Sequence, residues 1–310
     1  MNPLARLVVV LGPTASGKSA LGIWLAQRLD GEIVVCDSTQ VYRHFDIGTA
    51  KVPLAERQEI PHHLVDLVEP DEVFTAGDYR RHAVPVLEEI RRRGKVPILT
   101  AGTGLYLRAL LEGLADAPAR SEELRKRLGK TAAERGPARL HRILARLDSA
   151  TSRRIAPRDT QKVIRALEMR LLTGRPVGEI HRQGRAPLEG FEVRKIGLLP
   201  PRRALYEKID HRVLHMLSAG WAEEVRELAA RFAADAKPFE FIGYPELRAY
   251  LEGHISLETA TQQIQQATRR FAKRQITWFR REPRVHWLEG FGDEPEICAG
   301  ALQYLQKTVP

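Results

Sequence analysis

The chain has 310 residues, enough for one large domain and a smaller one, and its hydrophobic fraction of 43% is ordinary for a globular protein. Forty-nine Lys and Arg against 39 Asp and Glu give a formal net charge of +10, which points to an anionic partner. Two cysteines, Cys36 and Cys298, make neither a disulfide framework nor a cysteine metal site. No apolar run is long enough to span a bilayer, so a cytoplasmic protein is expected.

The first apolar run, Leu7 to Leu11, feeds Gly12-Pro13-Thr14-Ala15-Ser16-Gly17-Lys18-Ser19, which fits G-x-x-x-x-G-K-[ST]. In such a loop, successive N–H groups point at phosphate oxygens and the lysine adds a point charge. The serine is placed to hold Mg²⁺, the cofactor expected here. Ala20 to Leu29 reads as the helix whose N-terminus completes the anion site. This loop type also binds nucleotides such as ATP, and by itself it says only that a di- or triphosphate binds.

Ile33 to Cys36 and Val96 to Thr100 are the next strand candidates, with Ile196 to Leu199 a fourth. Alternation of short apolar runs with amphipathic stretches predicts an α/β fold with a parallel sheet flanked by helices. In an open parallel sheet the ligand lies beyond the carboxyl ends of the strands. Asp37-Ser38-Thr39-Gln40 and Ala101-Gly102-Thr103-Gly104 should therefore meet the phosphate loop at one edge. Asp37 has two functional readings, Mg²⁺ ligand beside a nucleotide or general base facing an acceptor. The adjacent His62 and His63 lack a completing ligand set and are assigned to structure.

Between about Gly113 and Gly190 strand-like runs vanish and Arg-rich helical stretches follow: Glu122 to Leu128, Leu140 to Leu147 and Gln161 to Leu172. An inserted all-helical domain over 114–190 is expected, with 1–113 and 191–310 forming the core domain. Ala204 to Ser218, Ala222 to Ala234 and Leu257 to Arg281 read as C-terminal helices, the last stopped by Pro283. Residues after Glu289 read as an uninformative tail or terminal helix. Within the last helix, Arg269, Arg270, Lys273, Arg274, Arg280 and Arg281 fall in a sector of roughly 140° at 100° per residue. That stripe suits a phosphate backbone, and Arg153, Arg154, Arg158 and Lys162 are candidates to extend it.

GPTASGKS, VCDSTQVYRHFDIGTAK, PHHLVD, AGTGLYLRALLEGL, RALE, FIGY and AKRQITWFR together resemble, in order and spacing, the tRNA dimethylallyltransferase (tRNA isopentenyltransferase) family. The resemblance covers nearly the whole chain. It implies a P-loop fold that holds the diphosphate of dimethylallyl diphosphate at Gly12 to Ser19. It further implies prenylation of the exocyclic amine of the adenosine 3′ to the anticodon, so the tRNA anticodon stem-loop is the expected partner. By the same resemblance Asp37 is the general base, Thr103 binds the acceptor amine, and Lys18 and Arg212 serve the diphosphate. The implied tRNA contacts are Asp37 to Gln40, Thr103, Arg125, Asp159-Thr160-Gln161-Lys162-Val163, Glu240-Phe241-Ile242-Gly243-Tyr244-Pro245 and Lys273-Arg274-Gln275-Ile276-Thr277-Trp278-Phe279-Arg280. Ala101 stands where the family usually has glycine, and Pro245 where it often has a basic residue. A monomer is expected. Apart from the resemblance, the residues leave open a nucleotide kinase, a prenyltransferase for free adenine nucleotides and a non-catalytic RNA-binding module.

Overall fold

The computed structural model describes residues 5–115, 117–118, 120–182 and 186–307, which divide into two units: 1–110 with 189–310, and 111–188. In the first unit β1 (Ala5–Leu11), β2 (Gly31–Cys36), β3 (His62–His63), β4 (Val96–Ala101), β5 (Phe191–Leu198) and β6 (Val285–Leu288) form one sheet in the order β3-β2-β4-β1-β5-β6. Every pairing is parallel. Leu7 to Leu11 are all fully buried, as a central strand covered on both faces requires. Val8 and Val10 pack with Leu21 and Leu25 of α1 (Lys18–Leu29) on one face, where Cys298, Ala301 and Leu305 of the C-terminal helix join them.

Helices α2 (Ala76–Arg92) and α3 (Gly104–Glu112) flank β4 in sequence. The second unit consists of α4 (Glu122–Arg135), α5 (Pro137–Leu147), α6 (Ser149–Ser152), α7 (Thr160–Thr173) and α8 (Val177–Arg182) around Leu140, Leu144, Val163, Leu167 and Ile180. The remaining helices belong to the first unit: α9 (Arg202–Ser218), α10 (Trp221–Arg231), α11 (Tyr244–Leu251), α12 (Leu257–Phe279) and α13 (Pro295–Gln306). Helix α12 stops two residues earlier than its periodicity predicts, and Arg281 continues it as a single turn through its N–H to Trp278 O, 3.1 Å. Among the described residues no helix is long and apolar enough to cross a membrane.

Three features escaped the pattern reading. Strands β3 and β6 are two and four residues long, too short for a period-2 signal. The segment after Glu289, uninformative as sequence beyond a tail or terminal helix, carries α13, which closes the sheet core, and a turn against the phosphate loop. The backbone from Asp46 to Gly48 is held by the carboxylate of a distant helix. Glu224 on α10 accepts the N–H groups of Asp46, Ile47 and Gly48 at 2.9, 2.7 and 3.1 Å and the Tyr244 hydroxyl at 2.7 Å. Glu224→Ala leaves those donors without their acceptor, so a loss of about 2–3 kcal/mol is expected. Thermal unfolding should register it as a drop of roughly 4–10 °C; a melting temperature within a degree of wild type would contradict this role for Glu224.

Candidate active site

Because β1, β2 and β4 run parallel, the turns that follow them leave the same edge. Gly17 closes the phosphate loop at φ 86°, a conformation glycine adopts without strain, and α1 begins at the next residue. A turn from the C-terminal segment braces the loop from outside, with Gly292 N–H donating to Ser16 O at 2.9 Å. Lys18 Nζ donates to Pro13 O at 2.7 Å. Burial is the main cause that lowers the Lys18 pKa to about 8; the Asp37 carboxylate opposes that shift and the Arg212 guanidinium adds to it. Arg212, on α9, donates to Thr14 Oγ1 at 3.2 Å. Its own pKa is lowered by burial and raised by Asp37. Two cations, each with its charge disfavoured by burial, thus stand within electrostatic reach of one carboxylate at the phosphate loop.

Asp37 follows β2 directly. Its Oδ1 accepts the N–H of Thr39 at 2.9 Å and the Thr39 hydroxyl at 2.7 Å, while Oδ2 has no hydrogen-bond partner among the described residues. Oδ2 faces the turn after β4, where a Cβ on Gly102 would lie 2.5 Å from it. That turn is tied to β2 by the N–H groups of Gly102 and Thr103, both donating to Cys36 O at 3.1 Å. Thr103 Oγ1 accepts from Ser38 N–H at 2.9 Å and donates to Ser38 Oγ at 3.2 Å. One lone pair of Thr103 remains for an incoming N–H.

The two glycines of this turn, Gly102 and Gly104, leave space beside the backbone. Here they admit side chains: Gly102 makes room for Asp37, and a Cβ on Gly104 would overlap the Trp278 indole. Gly102→Ala should push the Asp37 carboxylate aside, since the short side chain is already held by Thr39. We expect transfer to fall about tenfold to a hundredfold, the size of effect that a displacement near 1 Å produces. Pyrophosphate affinity, measured by calorimetry, should stay close to wild type, and unchanged turnover would remove the packing argument. Ala101, in contrast, is the last residue of β4, fully buried and in register with Leu11 and Cys36, so its methyl faces no ligand.

Mg²⁺ fits this edge. The Ser19 hydroxyl, exposed on the first turn of α1, lines a small cleft with Gln40 and Thr100. Among the described residues no group of three His, Cys, Asp or Glu side chains gathers into an all-protein metal cage. A lone hydroxyl is the kind of protein ligand that Mg²⁺ would take beside a bound diphosphate, since this ion keeps its waters and is held through substrate phosphates.

The residues expected at the tRNA fall into two groups. Lys273, Arg274, Thr277, Trp278 and Arg280 are exposed, and Lys273, Arg274, Thr277, Trp278 and Arg281 line an open groove of about 240 Å³. Arg108 stacks on Trp278, 4.9 Å from the ring centre. Ser38, Thr39, Gln40 and Thr103 lie at the acid's edge, Ile276 and Phe241 are half-buried, and Glu240 and Pro245 are exposed. Pro245 sits in the first turn of α11, where the missing N–H costs nothing.

In the second group most side chains are buried or engaged within the protein. Tyr244 and Phe279 are buried in the first unit and Val163 in the second, so their side chains offer an RNA no surface. Gln275 is also buried: its Oε1 accepts Thr14 N–H and its Nε2 donates to Gly102 O, each at 2.8 Å. Gly243, at φ 99°, packs on Trp221 beside the half-buried Ile242. In the second unit Arg125 is engaged by Glu168, through Nε at 3.0 Å and Nη2 at 3.2 Å. Glu168 is fully buried; burial raises its pKa, but bonds from Arg125, Arg165 and Ser121 N–H outweigh that and hold it low. Asp159 caps α7 by accepting Lys162 N–H at 3.3 Å, leaving Thr160 half-buried and Gln161 and Lys162 exposed. His62 hydrogen-bonds Ile60 O and His63 pairs with Glu32 at 2.6 Å, in keeping with structural roles.

A family model described as IPP transferase matches residues 40–282. The chain belongs to this family. Over 97% of its length it is 52% identical to a tRNA dimethylallyltransferase of Solibacter usitatus, covering 98% of that protein. Over 96% of its length it is 46% identical to one of Geobacter sulfurreducens, covering 96% of that protein. Its fold matches the crystal structure of a tRNA isopentenylpyrophosphate transferase from Bacillus halodurans at TM-score 0.71 and 36% identity, covering 97% of both chains. It also matches a eukaryotic dimethylallyltransferase described as acting on tRNA, at TM-score 0.76 and 27% identity, covering 92% of this chain and 74% of the other.

Proposed function

We propose that this chain transfers a dimethylallyl group from dimethylallyl diphosphate to the exocyclic amine of the adenosine 3′ to the anticodon of tRNA, releasing pyrophosphate, as a cytoplasmic enzyme. The observation that carries the proposal is the meeting of Asp37, Lys18 and Arg212 at the phosphate loop, close enough for each cation to feel the carboxylate.

The adenine amine is a weak nucleophile because its lone pair is delocalised into the ring, and it is too weak an acid for a carboxylate to ionise beforehand. Departure of pyrophosphate must therefore run ahead of bond formation. The loop N–H groups, Lys18 and Arg212 stabilise the negative charge that builds on the leaving oxygen. Ser19 would hold Mg²⁺, whose contribution is further neutralisation of the diphosphate. Thr103 accepts one amine N–H and orients the nitrogen. As the new C–N bond forms, the amine becomes cationic and acidic, and Asp37 Oδ2 takes its proton. The Thr39 bonds to Oδ1 fix the carboxylate so that Oδ2 is the oxygen presented.

A base in a stacked anticodon loop has to be drawn out of its stack to reach such a site. The exposed Lys273, Arg274, Arg280 and Arg281 supply phosphate contacts, and Trp278 supplies an aromatic platform. Incubation with dimethylallyl diphosphate and unmodified tRNA should yield prenylated adenosine and pyrophosphate in equal amounts. A folded protein that yields neither overturns the proposal, and one that prenylates AMP but not tRNA would redirect it to free nucleotides.

A further inference from the structure

We propose that Gln275 is a positioning residue: through one buried amide it ties the tRNA-facing helix α12 to both the diphosphate cradle and the turn that seats the general base. This rests on the transfer chemistry above and extends it.

Gln275 interrupts the cationic stretch, and its neighbours Lys273, Arg274, Thr277 and Trp278 face outward while it faces inward. A buried amide is costly unless both ends are bonded. The two bonds of Gln275 go to loops far apart in sequence: Oε1 accepts from Thr14 N–H and Nε2 donates to Gly102 O, each at 2.8 Å. The orientation of the amide is unambiguous, because a backbone N–H only donates and a carbonyl only accepts.

Each anchor leads to a reacting group. Thr14 holds the Arg212 guanidinium through its hydroxyl, and Gly102 lies against Asp37 Oδ2. The span of one amide therefore sets the spacing between leaving-group site and proton acceptor. The same residue keeps Thr14 N–H engaged, so the diphosphate is left to the later amides of the loop. The helix that carries this tie also carries the groove of Lys273, Arg274 and Trp278, so an RNA docked there is held in fixed register with the reacting groups.

Two variants test the tie. Gln275→Leu keeps the bulk and removes both bonds. Turnover at saturating substrates should fall about a hundredfold, while the Kd for unmodified tRNA stays within about threefold of wild type. Gln275→Glu still accepts from Thr14 N–H, but it donates to Gly102 O only when protonated. Its activity relative to wild type should therefore rise as the pH is lowered from 8 to 6, by up to about tenfold per unit. A fold-supporting role alone would not produce that pH ratio, and Gln275→Glu decides the matter if Gln275→Leu does not fold.

Wild-type turnover in Gln275→Leu, tRNA affinity lost in step with turnover, or a flat ratio for Gln275→Glu would each overturn the proposal. Failure of the transfer reading itself shows differently, as wild-type protein that makes no prenylated adenosine. The tie then remains readable in pyrophosphate binding without RNA, which Gln275→Leu should weaken several-fold and which would stay unchanged if the tie were absent.

Discussion

Replacing Asp37 with Asn is expected to cut prenyl transfer by about 10²- to 10⁴-fold, the range a positioned general base contributes, while leaving pyrophosphate affinity within a few-fold of wild type. The amide preserves volume and can still accept from Thr39 N–H and its hydroxyl, so the loop after β2 keeps its shape. What disappears is an oxygen basic enough to take the amine proton. Single-turnover transfer and calorimetric pyrophosphate binding, measured on the same preparation, separate the roles left open by the sequence. If both collapse together, Asp37 is acting as a metal ligand for the phosphates and the assignment as base is wrong. If neither changes, the carboxylate is no part of the chemistry.

Lys18→Ala is expected to lower kcat/KM for dimethylallyl diphosphate by about 10²- to 10³-fold, the scale for removing one preorganised donor from a developing anion. The loss should appear in both binding and turnover, because the lysine meets the diphosphate in the ground state and meets greater charge as the allylic bond breaks. The wild-type pH dependence follows from the lowered Lys18 pKa of about 8. Below that value the ammonium is charged and attracts the diphosphate; above it the free protein loses the charge. Pyrophosphate binding should therefore weaken by roughly tenfold per unit as the pH rises beyond 8, as for loss of one required proton. A lysine at its ordinary pKa of 10.5 would add no loss of its own below about pH 10, leaving only the change that the last ionisation of pyrophosphate brings. Lys18→Ala should leave only the dependence due to pyrophosphate's own ionisation, and a wild-type to variant affinity ratio that does not fall above pH 8 would contradict the assignment.

Much of the site was legible because its signals are local. A glycine-rich turn between an apolar strand and a helix has one well-understood use, and Asp37 and Thr103 each stand within two residues of the end of an apolar strand. Parallel pairing then guarantees a common edge, so three separate stretches converge without any side-chain information. The sign pattern of Lys273, Arg274, Arg280 and Arg281 was equally local, and these residues are exposed in the fold.

Individual residues inside a matching segment were harder to place. Tyr244 and Val163 lie within segments that the family resemblance assigns to tRNA, yet both are buried, because a segment presents one face to solvent and supports it with the other. Arg125 reads as a free cation on an Arg-rich helix until Glu168, 43 residues later, is brought beside it. Gly292 carries no motif, and only the packing of the C-terminal segment sets it on Ser16 O.

The sequence alone therefore determined the parallel α/β architecture, the glycine-rich loop after the first strand, the acid at the second strand end and the cationic helix, since each depends on residues within a few positions of one another. Tertiary structure alone decided that Gln275 turns inward to join two loops, that Glu224 pins Asp46 to Gly48, and that Gly102 yields its space to Asp37. These depend on partners between 65 and 261 residues apart, or on the space left for a Cβ. A hydrogen bond or a close contact over such separations has no signature in periodicity or composition; it exists only once the core has brought the partners together.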